Sequence, residues 1–120
     1  MVKYDLNFQG LIEAAGGCHS GVQVGVGWVE ALYPLVSAIC EERNKKNRGG
    51  RPRLIYMKEK FGELRVSIEN PTSVLIDERK AAVERCRRIC DVCGKNGYVR
   101  KVVGRMRVVC RCDVHLEYNT

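Results

Sequence analysis

Two short segments near the C-terminus carry side chains that proteins use to bind metal ions. Cys90 and Cys93 stand in the first, "CDVC", and Cys110, Cys112 and His115 stand in the second, "VVCRCDVH". Zn²⁺ takes four ligands in a tetrahedron, and a two-residue gap lets one tight turn present a pair of them. Cys90/Cys93 and Cys112/His115 both have this gap, and eighteen residues separate the two pairs. This spacing is typical of a zinc ribbon, so the sequence predicts a zinc site built from these four residues.

The second segment offers one thiol more than the site needs. Cys110 lies two residues before Cys112, so on a strand their side chains share a face. Cys110 could therefore replace either Cys112 or His115 as a ligand. We expect Cys112 and His115 to be the ligands, because they restore the two-residue gap. Cys86 lies one helical turn before Cys90 and is expected to be a buried thiol, since free cysteine packs as a small hydrophobic residue.

A site with four protein ligands is expected to be structural, because it leaves no open position for water or substrate. The imidazoles of the sequence are His19 and His115, and no pair of carboxylates has a convincing hydrolytic arrangement. The sequence therefore predicts a protein that is not an enzyme, with a metal-dependent nuclease as a remote alternative. A redox role for Cys90 and Cys93 is disfavoured, since it needs a thioredoxin-like setting and the second ligand pair argues against it.

The residues before the metal-binding segments predict a helix and a β-hairpin. Apolar residues at three- and four-residue spacing predict an N-terminal helix from Trp28 to about Asn44. Pro34 lacks an N–H group and clashes with the preceding turn, so the main helix either starts near it or kinks there. Two apolar runs, 53–58 and 63–69, predict the hairpin, and the second of them alternates cleanly.

A second helix is expected to lead into the first metal-binding segment. It begins after Thr72 or Ser73, whose hydroxyl can cap the first turn, and it runs to about Ile89. Two further β-prone runs, 98–103 and 105–111, are joined at a glycine and predict a second hairpin. This hairpin would bring the two ligand pairs together.

These elements describe an α+β protein with an N-terminal helix, a β-hairpin, a second helix and a C-terminal zinc-ribbon-like β-hairpin. We expect an α+β body, residues 1–89, and a finger, residues 90–120, packed on it. No apolar run approaches the ~20 residues needed to cross a bilayer, and the N-terminus lacks the apolar segment of a signal peptide. The chain has seven cysteines, and clustered thiols in a reducing cytoplasm are ligands more often than disulfides.

The chain is basic, with a net charge of +7 and a pI of about 9.2. Residues 85–111 contain nine basic side chains against a single acidic one, and a second basic block runs from 43 to 60. This asymmetry favours an acidic partner, either a protein surface or nucleic acid. The residues expected to contact the partner are Arg51, Arg53, Lys58, Lys60, Arg85, Arg88, Arg100, Lys101, Arg105 and Arg107.

Several motifs occur in an order that resembles a known group of proteins. In chain order they are Gly27-Trp28, Pro34-Leu35, "KEKFGELRV" (Lys58–Val66), "CDVCG" (Cys90–Gly94) and "CDVH" (Cys112–His115). Over about residues 27–115 the chain resembles small uncharacterised zinc-finger-like proteins encoded by phages, prophages and other bacterial mobile elements. Their pattern is a Gly-Trp helix, a Lys-Glu-Lys-Phe-Gly-x-Leu-Arg hairpin, a helix and a C-terminal Cys-x-x-Cys-Gly … Cys-Asp-x-His finger.

The resemblance implies that Cys90, Cys93, Cys112 and His115 hold a structural Zn²⁺ ion. It also implies an accessory protein in the cytoplasm of a bacterial host, which binds and inhibits or redirects a host complex such as a defence or nucleic-acid-handling machine. The expected partner is a host protein, a protein–nucleic-acid complex or nucleic acid itself, and no membrane is involved. The alternative is a basic nucleic-acid-binding regulator, whose affinity would fall steeply with salt.

Overall fold

The computed structural model describes residues 4–18, 20–45 and 50–118, and it confirms the predicted α+β class. The elements in chain order are α1 (Leu6–Ala14), β1 (Val22–Gln23), a 3₁₀ turn (Val26–Trp28), α2 (Val29–Arg43), β2 (Arg53–Lys60), β3 (Glu63–Glu69), α3 (Ser73–Cys86), β4 (Tyr98–Lys101) and β5 (Val108–Arg111). One sheet has the strand order β1-β2-β3, and β4 and β5 form a separate pair. None of the helices in these described ranges is long and apolar enough to cross a membrane.

The predicted first hairpin is confirmed as strands β2 and β3. They are antiparallel, with Lys60 opposite Glu63. Phe61 and Gly62 form the connection and have positive φ angles of 54° and 77°, the signature of a type I′ turn whose twist matches that of the strands. Leu64 is 2% exposed, as the alternating pattern of this strand predicts. Because β1 pairs in parallel with β2, strand β3 is an edge of the sheet.

Helix α2 begins earlier than its proline indicates. It starts at Val29, directly after the 3₁₀ turn, and Pro34 lies inside it with an exposed ring. The predicted helix from Trp28 to about Asn44 is therefore confirmed, and the alternative of a start near Pro34 is wrong. The residues upstream of the proline explain this, because Trp28 and Leu32 are fully buried and fix the first turn against the core. Tertiary packing of an apolar face outweighs the local cost of a proline within the helix.

Helix α1 lies in a stretch for which the sequence reasoning assigned no element. The side chain of Asp5 caps it by accepting a hydrogen bond from the N–H of Phe8 at 2.8 Å. Phe8 and Ile12 are buried at a four-residue spacing, and the N–H of Gly17 returns to the carbonyl of Ile12 at 2.9 Å. An N-cap, a short apolar stripe and a glycine pair after the last turn are helix signals, and these were overlooked.

Helix α3 carries the chain from the sheet to the first metal-binding segment. The hydroxyl of Thr72 caps it by accepting a hydrogen bond from the N–H of Leu75 at 3.3 Å, as predicted. The helix ends at Cys86, about one turn earlier than expected. Ile89 then forms an isolated antiparallel bridge with Asn96, and this bridge closes the loop that contains Cys90 and Cys93.

Candidate metal centre

The first ligand pair lies in a tight turn whose shape depends on a glycine. The N–H of Gly94 donates to the carbonyl of Cys90 at 2.9 Å, and Gly94 has a φ of 78°. This left-handed conformation is strained for a residue with a Cβ atom. The N–H of Cys90 donates to the carbonyl of Lys95 at 2.7 Å, and the N–H of Asp91 donates to the carbonyl of Cys110 at 3.0 Å. The turn is therefore fixed on strand β5, which leads into the second ligand pair.

The second ligand pair follows directly after β5. The N–H of His115 donates to the carbonyl of Cys112 at 3.2 Å, so this pair also forms a turn. The ring of Tyr118 lies edge-on to the His115 imidazole, with 5.9 Å between the ring centroids. Strands β4 and β5 are antiparallel with Tyr98 opposite Arg111, and this pairing brings the second turn back beside the first.

The four predicted ligands converge. The sulfur atoms of Cys93 and Cys112 are 3.8 Å apart, and His115 Nδ1 is 3.3 Å from Cys112 Sγ and 3.9 Å from Cys90 Sγ. All four ligand atoms lie within 4.8 Å of one another. A tetrahedral zinc ion with bonds of ~2.3 Å to sulfur and ~2.0 Å to nitrogen requires S···S separations of about 3.8 Å and S···N separations of about 3.5 Å. The observed separations fit that geometry.

The environment of Cys90 favours the form of the thiol that binds metal. Burial acts to raise the pKa of Cys90, but hydrogen bonds from the backbone of Cys112, Cys93 and Val92 outweigh it and lower the pKa from 9.0 to about 7. The pKa of Cys93 is raised, because burial and the neighbouring thiols Cys90 and Cys112 outweigh a hydrogen bond from the Lys95 backbone. When thiols lie close together, ionisation of one disfavours ionisation of its neighbours. A bound cation stabilises the thiolates and removes this repulsion.

The structure separates Cys110 from the cluster. Its side chain is fully buried, and its Sγ lies 3.1 Å from the carbonyl oxygen of Cys86, 3.2 Å from that of Arg87 and 3.3 Å from that of Ile89. Burial raises the pKa of Cys110 to about 11, so it remains a neutral thiol that donates to the end of α3. Cys86 is buried as expected, and burial raises its pKa to about 12. The four residues that converge are thus the preferred set.

Each ligand pair contains an aspartate directly after its first cysteine, and the two aspartates have different surroundings. Asp91 accepts a hydrogen bond from Arg111 Nε at 3.0 Å, and both side chains are less than 10% exposed, at 9% and 5%. Arg111 also donates to the carbonyl of Tyr118. Asp113 pairs with Arg100 at 2.6 Å, but its side chain is 85% exposed. The Asp91–Arg111 pair, which the sequence reasoning did not single out, links the two turns inside the protein.

The body of the protein contacts the first turn through two glycines. The N–H of Gly27 donates to the carbonyl of Asp91 at 2.9 Å. A Cβ atom on Gly27 would lie 2.3 Å from the carbonyl oxygen of Cys90, and one on Gly25 would lie 2.0 Å from that of Asp91. Trp28 is fully buried, and its Nε1 donates to the carbonyl of Ile89 at 2.8 Å. Glycine in a β-prone run can mark a position that another backbone approaches closely. Here that backbone is the turn that contains Cys90 and Cys93.

Three of the basic residues predicted to contact a partner form hydrogen bonds or an ion pair within the protein. Arg85 donates to the carbonyl of Ala31 from Nε at 3.3 Å and from Nη2 at 3.0 Å. Arg53 forms an ion pair with Glu69 at 3.3 Å. Arg51 Nε donates to a backbone carbonyl of helix α2 at 3.1 Å. These three cations lie on the body, away from the metal-binding turns.

The other predicted contact residues lie along the hairpins. Lys58 and Lys60 lie over the rings of Tyr56 and Phe61, with 5.0 and 5.6 Å from nitrogen to ring centroid. Arg100 lies over the ring of Tyr98 at 4.4 Å. The remaining four are exposed at the end of α3 or on the finger: Arg88, Lys101, Arg105 and Arg107. The role of these ten residues in partner binding stays a prediction, as does the division at residue 89.

The fold and the site together define a small α+β protein with a three-cysteine, one-histidine cluster that could bind a metal ion. Comparison with known protein families, curated proteins and solved structures finds no match. The resemblance to phage and mobile-element proteins therefore stays an expectation from the motifs. The functional argument below depends on the site and the surface of this chain.

Proposed function

We propose that this chain is a non-enzymatic binding protein whose finger is stapled by zinc. The observation that carries the proposal is the convergence of Cys90, Cys93, Cys112 and His115 within 4.8 Å. Three thiolates and one imidazole are a common ligand set of structural zinc sites, and four protein ligands leave no open position for water or substrate. Zinc would hold the two turns together, so that the strands between them keep a fixed position on the body.

The loop between β4 and β5, residues 102–107, supplies the proposed partner-contact surface, which we call the finger tip. Met106 is fully exposed and Val103 is 84% exposed, and the basic side chain of Arg105 lies between them in the chain. Methionine and arginine are enriched in protein interfaces, and clustered exposed apolar side chains mark interaction sites. A metal staple at the opposite end of the β4–β5 hairpin would hold the hairpin that presents this loop in a fixed position on the body.

We propose a bacterial host complex as the partner of the finger tip. In this proposal the chain is an accessory protein of a phage or mobile element, acts in the cytoplasm of the host, and inhibits or redirects a defence or nucleic-acid-handling machine. The motif order supports the genomic setting, and the basic charge of the finger supports an acidic or nucleic-acid-bound partner.

One observation favours the alternative, a basic nucleic-acid-binding regulator. Phe61 is 62% exposed and Tyr98 is 55% exposed. Each ring has a cation above it, Lys60 and Arg100 respectively. Exposed aromatic rings beside cations can stack with the bases of single-stranded nucleic acid while the cations bind its phosphates. Binding of this kind would weaken steeply as salt is added.

Native mass spectrometry of the purified protein, with and without a chelator, tests the metal staple. We expect one zinc ion in the wild-type protein and in Cys110→Ser, and none in Cys112→Ser. Cys110→Ser is the matched control, because it removes a thiol of the same segment that points away from the cluster. A wild-type protein without zinc, or zinc lost in Cys110→Ser and kept in Cys112→Ser, would contradict the proposal.

Co-purification from a bacterial host tests the finger tip. We expect the wild-type protein to hold a defined complex that Val103→Ser/Met106→Ser fails to hold. Leu6→Ser is the control, because Leu6 is 83% exposed on α1. A complex that survives the tip substitutions contradicts this surface. Binding of the purified protein to single-stranded oligonucleotide, with an affinity that falls about a thousandfold between 50 and 200 mM salt, would favour the regulator instead.

A further inference from the structure

A groove separates the edge strand β3 from helix α3, on the body of the protein. Its volume is about 550 Å³, within the ~300–1,000 Å³ range of pockets that hold ligands. Leu64, which is buried, and Val83, which is half-buried, line the groove, so its floor is apolar. Arg65, Arg79 and Lys80 also line it, and Arg65 and Lys80 are exposed. The groove thus combines an apolar floor with a basic rim.

A further positive charge lies on the sheet next to the rim of the groove. Lys58 lies directly opposite Arg65 in the β2–β3 register, so the two side chains share one face of the sheet. Like charges directly opposite each other destabilise a strand pair. Arg79 and Lys80 add two further charges from the helix. In the described ranges none of Arg65, Arg79 and Lys80 forms an ion pair with an acidic side chain.

Acidic side chains near this rim already have a partner. Glu84 lines the groove and forms an ion pair with Arg87 at 2.8 Å. Glu63, on the same strand as Arg65, pairs with Arg87 at 2.5 Å. Their carboxylates are therefore turned toward Arg87, and three basic side chains line the groove against one acidic side chain, that of Glu84. An anionic ligand in the groove would supply the missing compensation.

The edge of the sheet at the groove has free backbone groups. The two-residue turn makes Lys60 and Glu63 a hydrogen-bonded pair, so Leu64 and Val66 direct their N–H and C=O groups away from β2. Within the part of the chain that the structure describes, strand β3 makes backbone hydrogen bonds with β2 alone. An unpaired strand edge is a place where an extended peptide can add its own main chain.

We infer that this groove binds an extended acidic peptide segment of a partner protein, with carboxylates at the basic rim and an apolar side chain on the floor. The apolar floor favours a peptide over nucleic acid, because a peptide can alternate acidic and aliphatic side chains, whereas a nucleic-acid backbone carries a charge at every unit. Tyr56, the ring of the groove, is half-buried, and the Lys58 ammonium lies 5.0 Å from its centroid, so it offers less stacking surface than the exposed rings of Phe61 and Tyr98. The inference names the partner chemistry of the proposed binding role, and it uses neither the metal nor the finger tip.

Fluorescence anisotropy on the zinc-loaded full chain tests the groove. The probe is a fluorescein-labelled peptide of alternating glutamate and leucine, and the same peptide with glutamine for glutamate is its control. We expect the acidic peptide to bind, and to bind roughly tenfold more weakly to Arg65→Gln/Arg79→Gln/Lys80→Gln. The control, Lys95→Gln, removes an exposed charge that belongs neither to the groove nor to the finger tip and should bind the peptide like the wild type.

A second variant separates binding from folding. Arg65→Glu places an opposite charge across from Lys58, so we expect it to raise the melting temperature while it weakens peptide binding. Failure of the acidic peptide to bind, or an equal loss of affinity in the groove variant and in Lys95→Gln, overturns the inference. Displacement of the peptide by an oligothymidine would reassign the groove to nucleic acid, and a dimer that the groove variant abolishes would reassign it to a second copy. Zinc content and the tip-dependent complex are measured separately, so each proposal can fail alone.

Discussion

Substitution of Gly27 by alanine tests whether the body of the protein shapes the metal centre. Gly27 has ordinary backbone angles, so an alanine here meets a lack of space and no conformational strain. Its Cβ atom would lie 2.3 Å from the carbonyl oxygen of Cys90 and 2.6 Å from the nitrogen of Gly94. Both are backbone atoms of the ligand turn, so no flexible side chain can move aside.

The expected loss of zinc affinity can be worked out from how far the turn around Cys90 must move to make room for the Cβ atom. Ordinary contacts of a Cβ atom begin near 3.4 Å, so the turn around Cys90 must retreat by about 1 Å from its 2.3 Å separation. The hydrogen bond from the Gly27 N–H to the Asp91 carbonyl, 2.9 Å long, would be stretched at the same time. Overpacking of this kind costs about 1–3 kcal/mol. A cost of ~2 kcal/mol borne by the metal-bound state corresponds to roughly thirtyfold weaker zinc binding.

Competition with a chromophoric chelator measures the zinc affinity, and thermal melting followed by circular dichroism measures the stability. We expect Gly27→Ala to bind zinc roughly thirtyfold more weakly and to melt at a lower temperature. Gly10→Ala is the matched control. Gly10 lies in α1 with no atom within 4 Å of an added Cβ, so alanine there should stabilise the helix by about 0.5–1 kcal/mol. Wild-type zinc affinity in Gly27→Ala would refute the coupling between body and metal centre.

Three further perturbations test the surroundings of the site. Asp91→Ala leaves the buried Arg111 unpaired and should lower the free energy of unfolding by about 3–5 kcal/mol, whereas Asp113→Ala should cost less than ~1 kcal/mol; equal losses in urea denaturation would contradict this. Hydrogen bonds with Lys45 and, to a smaller extent, with Thr72 lower the pKa of Glu42 from 4.5. The carboxylate therefore stabilises the fold above pH 4.5, and this stabilisation is lost as the pH falls through the lowered pKa. Glu42→Gln should therefore melt lower than the wild type at pH 7 but not at pH 3, and a constant difference would argue against this. Chelation of the metal should shift the emission of Trp28 to the red, and re-added zinc should reverse the shift, because its indole donates to Ile89 next to Cys90.

The sequence was sufficient to predict those elements that depend on residues close together in the chain. The hairpin of β2 and β3 was predicted from alternation and a glycine turn, because the twist of a two-residue turn fixes the pairing of its neighbours. The cap of α3 was predicted from Thr72 for the same reason, since the bond from Leu75 spans three residues. Helix α1 carried comparable signals at Asp5 and Gly17, so its omission was an error of interpretation and not a limit of the sequence.

The spacing of apolar residues predicted the start of α2 near Trp28, whereas Pro34 by itself indicated a later start or a kink. A proline inside a helix costs a hydrogen bond wherever it stands, and the balance depends on what the preceding turn buries. Here Trp28 and Leu32 are completely enclosed by other elements, which the sequence around them does not encode. The contact of Gly27 with the Cys90 turn is of the same kind, since it joins residues 63 positions apart in the chain.

The sequence by itself determined which residue types form the candidate metal site and the two turns that present them, because a two-residue gap is a local constraint on one turn. Only the tertiary structure decided between the thiols. Cys110 and Cys112 are two residues apart and would share a face of a continuous strand, but β5 ends at Arg111. The end of α3 offers carbonyl oxygens to Cys110, while Cys112 lies 3.3 Å from His115 Nδ1. It also decided between the two aspartates: burial beside Arg111 makes Asp91 part of the interior, whereas Asp113 stays in water. Direction and burial depend on elements distant in sequence, and that is why identical local motifs acquire different roles.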